Sequence, residues 1–177
     1  KRLQRRGHDV QVLTGFPNYP NGKIYDGYKI RLWQHELIDK ISVLRTFLYP
    51  SHDNSSVNRA INYLSFAFSA TLFGIIKLKK PDLVYVYHPP ITVGITALIL
   101  KRIWKIPYVY EIQDIWPDTL RATGMVNNKY LMRIINRLCT IIYKNADRLT
   151  VISLGFKDKL ISMGINSNKI DVIYNPC

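Results

Sequence analysis

Short runs of consecutive apolar residues alternate along the chain with longer stretches whose apolar positions recur every three or four residues. The short runs are Asp9 to Thr14, Leu83 to Tyr87, Tyr108 to Ile112, Arg148 to Ile152 and Ile170 to Tyr174. They are rich in Val, Ile and Tyr and read as strands, and the stretches between them have helix length. Strands that are apolar at nearly every position and alternate with helices build a parallel sheet covered on both faces, so the chain is expected to be a doubly wound α/β protein. Gly15 to Ser56 breaks the rhythm. Gly, Pro and Asn punctuate it as far as Gly27, and Tyr28 to His35 and Ile41 to Leu48 read as a hairpin or extra strands, so this region is expected to leave the sheet.

Three helical patterns carry more than fold information. Ala60 to Ile76 holds no charged residue and lies between Arg59 and Lys77, a length at the lower limit for crossing a bilayer. Its polar Asn62, Ser65 and Ser69 form one stripe, and Ile61, Leu64, Phe68, Leu72 and Ile75 form another. That amphipathic pattern favours a helix packed on the protein over a membrane span. Ile91 to Leu100 is too short to span and follows a strand directly, as a buried crossover helix does. In Lys129 to Lys144 an apolar face of Leu131, Ile134, Ile135, Leu138, Ile141 and Ile142 opposes Lys129, Arg133, Arg137 and Lys144. The basic stripe is either a solvated face or, through Arg133, Arg137 and Lys144, a contact for anionic lipid headgroups, to which Arg2, Arg5 and Arg6 could add.

Composition narrows the class. The 177 residues form one domain, 1–177, and with 47% of them hydrophobic they need no disulfide or metal to support a core. Cys139 and Cys177 have no metal-ligand spacing and are not expected to pair, which fits a reducing cytoplasm and a site without metal. Lys and Arg number 25 against 12 Asp and Glu, a net charge of +13. A charge of that size suits a polyanionic partner: a membrane surface, a nucleic acid or a phosphorylated substrate. Nucleic acid is the disfavoured member of the three, since none of its recognition motifs is present. Dinucleotide, P-loop, zinc-protease and nucleophile-elbow signatures are also missing. At the N-terminus, Lys1 to Arg6 followed by Gly7 reads as the last turn of a helix whose beginning lies before Lys1, so the chain is expected to be a piece of a longer protein.

In open α/β sheets ligands bind beyond the carboxyl ends of the strands, and the residues just after each strand here are unusually polar. Gly15-Phe16-Pro17-Asn18-Tyr19-Pro20 follows the first strand and His88-Pro89-Pro90 the second. Glu111, Gln113, Asp114, Trp116, Pro117 and Asp118 end the third, and Ser153 follows the fourth, with Gly155 opening a helix. Converging on one edge, these would offer hydroxyls, an amide, carboxylates, an imidazole and an aromatic face, a mixture suited to a polyhydroxylated or phosphorylated small molecule. Asp114 is the most telling, because an acid directly after an apolar strand is costly unless paired or facing a cleft. His88 and Ser153 could equally serve loop and capping roles, Trp116 loop packing, and Asp118 is best read as a helix cap.

Arg6-Gly7-His8-Asp9-Val10-Gln11-Val12-Leu13-Thr14-Gly15-Phe16-Pro17-Asn18-Tyr19-Pro20 resembles the second-strand region of bacterial glycosyltransferases of family 4, particularly those building capsular, O-antigen and colanic acid polysaccharides. Ser65-Phe66-Ala67, Pro81-Asp82-Leu83-Val84-Tyr85, His88-Pro89-Pro90, Tyr110 to Asp118 and Ile152-Ser153 through Lys157 resemble the same family in the same order. Val172 to Pro176 resembles its approach to an interdomain linker. The resemblance implies a GT-B enzyme of two Rossmann-like domains, of which this chain is the N-terminal, acceptor-side one. The first strand and Gly-rich loop would precede Lys1, and the domain holding most of the nucleotide-sugar would follow Cys177.

Many relatives carry a His-Asp pair where this sequence has Gln113-Asp114, which leaves an imidazole role there unsupported. The resemblance implies Asp114 as the catalytic position, orienting the transferred sugar or the acceptor hydroxyl, with Asn18, Tyr19, His88, Gln113, Trp116 and Ser153 contacting substrate. It also implies a nucleotide-sugar co-substrate with no cofactor, and a glycan or polyprenyl-linked acceptor. The protein would be cytoplasmic and peripheral on the inner face of the membrane. The piece alone is expected to be inactive. A catalytically silent binding domain and a GT-B-like nucleotide-sugar 2-epimerase are the alternatives.

Overall fold

In the computed structural model of the chain, residues 1–51, 55–87, 90–122 and 128–175 are described. They divide into two compact units, Lys1–Lys80 and Pro81–Cys177. Three of the residues singled out above, His88, Pro89 and Cys177, lie outside the described residues.

The first unit opens with a single helical turn, α1 (Arg2–Arg5), closed as expected by Gly7, whose φ of 87° is the left-handed conformation glycine favours. Strands β1 (Gln11–Gly15), β2 (Trp33–Ile38) and β3 (Ile41–Thr46) follow, then helix α2 (Ser56–Lys77). β3 pairs in parallel with β1, Gln11 opposite Ser42 through Gly15 opposite Thr46. β2 pairs antiparallel with the other edge of β3. The two residues joining β2 to β3, Asp39 and Lys40, both have positive φ, as a tight hairpin requires. The region after Gly15 was expected to leave the sheet; instead β3 is its central strand. Ser42 and Arg45 interrupt the apolar run and hide this from the sequence. Arg45 is tolerated there because its guanidinium is fully employed. It bonds Glu36 at 2.5 Å, the Gly15 carbonyl at 2.9 Å and the Tyr28 hydroxyl at 3.3 Å.

α2 is capped by the Ser55 hydroxyl, which accepts from the Asn58 N–H. Its seating corrects the expected one. The buried stripe is Ala67, Ser69, Ala70 and Gly74, whereas Ile61, Leu64, Phe68 and Leu72 are exposed. Small residues let the helix lie close on β1 and β3. A Cβ at Gly74 would stand 3.1 Å from Leu13 Cδ2, and the Ser69 hydroxyl bonds Thr46 and the Phe47 carbonyl.

The second unit alternates strands and helices as the pattern predicts. β4 (Val84–Tyr87), α3 (Val93–Trp104), β5 (Tyr108–Ile112), α4 (Asp118–Ala122) and α5 (Lys129–Asn145) are followed by β6 (Arg148–Val151), α6 (Leu154–Ser162) and β7 (Ile170–Val172). The four strands are all parallel and lie in the order β4-β5-β6-β7, a Rossmann-like α/β arrangement. Every crossover steps the same way, so right-handed connections put α3, α5 and α6 on one face. Tyr85 and Tyr87 on the opposite face are exposed, which departs from the expected cover on both sides.

The core lies under the helices. Tyr108, Tyr110, Ile112, Leu149 and Val151 meet Cys139, Ile142 and Tyr143 of α5, all of them buried. Gly94 lets α3 approach, since a Cβ there would fall 2.6 Å from Ile142 Cγ2. The inward stripe of α5 is therefore Cys139, Ile142 and Tyr143, and Leu131, Ile134 and Ile141, expected inside, are exposed. Tyr143 anchors the inward side, fully buried with its ring 5.9 Å from that of Tyr110.

Candidate functional site

β4, β5 and β6 are parallel neighbours, so the residues leaving them share the carboxyl edge of the second sheet. Gln113 and Asp114 leave β5, and Ser153 leaves β6. Asp114 is half-buried and makes no hydrogen bond or ion pair among the described residues. Beside it is a polar chain. Glu111 accepts from the Tyr85 hydroxyl through one oxygen and from the Gln113 amide through the other, and Gln113 in turn accepts from Asn175 at 3.3 Å. Tyr85 and Glu111 meet because alternate positions on adjacent parallel strands face the same way, with Tyr85 opposite Val109 and Tyr87 opposite Glu111. Burial and the adjacent Glu111 carboxylate push the Tyr85 hydroxyl up to about 12, so it remains a donor at physiological pH.

The remaining sequence-predicted residues fall as follows. Ser153 caps α6, its hydroxyl accepting from the Phe156 N–H at 3.2 Å. Trp116 is 8% exposed, a core ring that offers no open stacking face. Asp118 opens α4 and pairs with Lys159 at 2.7 Å. Asn18 and Tyr19 belong to the first unit, on the loop leaving β1. The Asn18 carbonyl accepts from Gly22 N–H, and Tyr19 is exposed with its carbonyl held by the Tyr25 hydroxyl. Arg133, Arg137 and Lys144 are exposed on α5, with Arg133 over the Tyr130 ring at 5.9 Å. Among the described residues no group of three or more His, Cys, Asp or Glu side chains could hold a metal.

The sequence did not single out Tyr85 or Asn175; the signal for Tyr85 was its register two positions before the end of β4. Nor did it single out a hollow of about 380 Å³ in the first unit, lined by Gly27, Tyr28, Lys29, Arg31 and Gln34. Gln34 pairs with Arg45 near the end of β3, so this hollow also lies toward the carboxyl edge of its sheet. Neither Lys29 nor Arg31 has an anionic partner among the described residues.

An α/β unit with polar groups gathered at the carboxyl edge of a parallel sheet is the architecture of a ligand-binding Rossmann-like domain. Residues 1–176 match the glycosyl transferase 4-like domain, and the chain belongs to that family. It is 24% identical over 175 residues to a protein of Escherichia coli (strain K12) bearing the provisional name colanic acid biosynthesis glycosyl transferase WcaI. That match takes in 95% of this chain and spans 42% of the relative's length. A crystal structure of Anabaena Alr3699/HepE in complex with UDP is also similar, at 17% identity and a TM-score of 0.45. It covers 67% of this chain and 29% of its own.

Proposed function

We propose that the chain is the acceptor-side half of a GT-B glycosyltransferase that moves a sugar from a nucleotide diphosphate donor to a hydroxyl of a growing, polyprenyl-linked glycan. The reading rests on family membership and on one observation above all: Asp114, at the carboxyl end of β5, is half-buried and has no partner among the described residues. A carboxylate at that edge would accept hydrogen bonds from sugar hydroxyls, and as a base it would take the proton of an acceptor hydroxyl as the new glycosidic bond forms. The donor's sugar–phosphate bond breaks in the same step, and helix N-termini and basic side chains neutralise the departing diphosphate without a metal. Glu111, held by Tyr85 and Gln113, keeps the strand end in place beside Asp114.

The acceptor's lipid brings the protein to the cytoplasmic face of the membrane as a peripheral enzyme. The exposed face of α5 supports this: Tyr130, Leu131 and Ile134 stand beside Arg133 and Arg137, and Lys144 continues the basic side. Apolar tips among cations suit a headgroup layer better than water alone.

The test is transfer of labelled sugar by the full-length protein from a panel of nucleotide-sugars to lipid extracted from the source membranes. Label in the lipid fraction is the expected result. Conversion of the nucleotide-sugar to its epimer with no label in lipid would contradict the transferase reading.

A further inference from the structure

The segment that leads into β2 forms a hollow of about 380 Å³ lined by Gly27, Tyr28, Lys29, Arg31 and Gln34. Small-molecule sites have volumes of about 300–1,000 Å³, so a single sugar ring with a substituent is the size it suits. Its walls are held in place. The Tyr25 N–H donates to the Pro17 carbonyl at 3.1 Å, the Tyr28 N–H to the Tyr25 carbonyl at 3.1 Å, and the Phe47 N–H to the Leu32 carbonyl at 3.0 Å. The Tyr28 hydroxyl accepts from Arg45 at 3.3 Å, and the Arg45 guanidinium lies 4.8 Å from the centre of the Tyr28 ring. Glu36 neutralises Arg45, so that pair adds no net charge beside the hollow.

Lys29 and Arg31 are exposed cations in no ion pair among the described residues, and Asp26, next to Gly27, pairs with neither. The half-buried Gln34 amide makes no hydrogen bond among the described residues. Polar groups drawn out of water are ordinarily hydrogen-bonded, and this one lines the hollow instead. Two cations, a hydroxyl and an amide, with no carboxylate in the lining, attract an anion and repel a metal ion. A phosphate monoester carries about −1.5 to −2 at neutral pH and matches both cations, where a carboxylate matches one. Inorganic phosphate would leave the Gln34 amide unused, whereas sugar hydroxyls both donate to an amide and accept from it.

We infer that this hollow binds a phosphorylated sugar, with Lys29 and Arg31 on the phosphate and Gln34 on the ring hydroxyls. The sugar rests on the glycosyltransferase reading of the preceding section; the phosphate rests on the hollow alone.

The experiment follows acylation of Lys29 in the full-length protein by mass spectrometry, a readout confined to this loop, with the exposed Lys40 as reference. The probes are glucose 1-phosphate, inorganic phosphate and glucose. Lys29 should react about tenfold more slowly when glucose 1-phosphate stands at about ten times its dissociation constant, with Lys40 unaffected. Arg31→Ala should raise that dissociation constant about tenfold or more, and Arg31→Lys, which keeps the charge, should recover most of the loss. Gln34→Leu should remove the preference for glucose 1-phosphate over phosphate. The replaced side chains are unpaired, so these variants should keep the parent's urea midpoint.

Lys29 acylation in the parent that glucose 1-phosphate leaves unchanged would overturn the proposal. Equal protection by inorganic phosphate would overturn the sugar part, and equal protection by glucose the phosphate part. Sugar transfer by a protein whose Lys29 is never protected would remove the hollow and leave the transferase reading. Protection in a protein that transfers no sugar would do the reverse.

Discussion

Replacing Gly94 by alanine tests how tightly α3, α5 and β5 interlock beneath the edge that carries Asp114. The added Cβ would stand 2.6 Å from Ile142 Cγ2 and 3.0 Å from both Ile142 Cδ1 and Tyr110 Cε2. Carbon atoms prefer separations of about 3.5–4.0 Å, so Ile142 must retreat by about 1 Å. It has little freedom to do so, because Ile142 and Tyr110 are fully buried and the Ile142 carbonyl accepts a 2.5 Å hydrogen bond from the Tyr108 hydroxyl. Overpacking of this kind costs about 1–3 kcal/mol, against a helix-propensity gain for alanine of up to about 1 kcal/mol. The net expectation is a loss of about 1–2 kcal/mol. It is read as a lower urea midpoint with an unchanged slope. Trimming Ile142 to alanine relieves the clash, so Gly94→Ala should cost at least about 0.5 kcal/mol less in that background. A Gly94→Ala protein as stable as the parent, or equal costs in both backgrounds, would refute the packing argument.

Three further expectations concern buried charge and ionisation. Glu36→Ala leaves the Arg45 guanidinium, 12% exposed, with neutral partners only. It should destabilise by about 2 kcal/mol, less than the 3–5 kcal/mol typical of a fully buried pair, and joint replacement by Glu36→Leu and Arg45→Met should recover much of that loss in thermal denaturation. Burial raises the Asp147 carboxyl, but the hydrogen bonds from Lys101 and the Tyr108 N–H and the charges of Lys101 and Lys169 more than offset it, and the group is held below its ordinary value. Its contribution to stability is therefore present above the unfolded value of about 4 and lost as pH falls through the folded one. Asp147→Asn should flatten that acid limb in urea titrations. Burial pushes the Cys139 thiol up to about 12, so Cys139 should resist disulfide reagents at neutral pH until the protein unfolds.

The strand-and-helix rhythm of the second unit was legible because its strands are apolar at almost every position, and Tyr108 to Ile112 falls where the pattern put it. β3 was obscured by Arg45, whose charge is compensated by Glu36 on the neighbouring strand, a pairing that periodicity does not reveal. The faces of α2 and α5 were read from where the large apolar residues lie. In α2 the sheet instead takes the small residues, because closeness of approach outweighs side-chain size there. Asp114 was singled out by its cost, an acid after an apolar strand, and it lies half-buried at the end of β5. Tyr85 and Asn175 were not, because each acts through a partner distant in sequence, Tyr85 on Glu111 and Asn175 on Gln113.

The central claim is that the Asp114 carboxylate acts in sugar transfer. The most direct measurement is the rate of transfer by the full-length Asp114→Asn enzyme under saturating donor, beside the parent and with folding verified by its urea midpoint. An amide keeps the shape and removes the charge and basicity, so the rate should fall about a hundredfold or more while the midpoint holds. A variant that transfers sugar at the parent's rate would contradict the account.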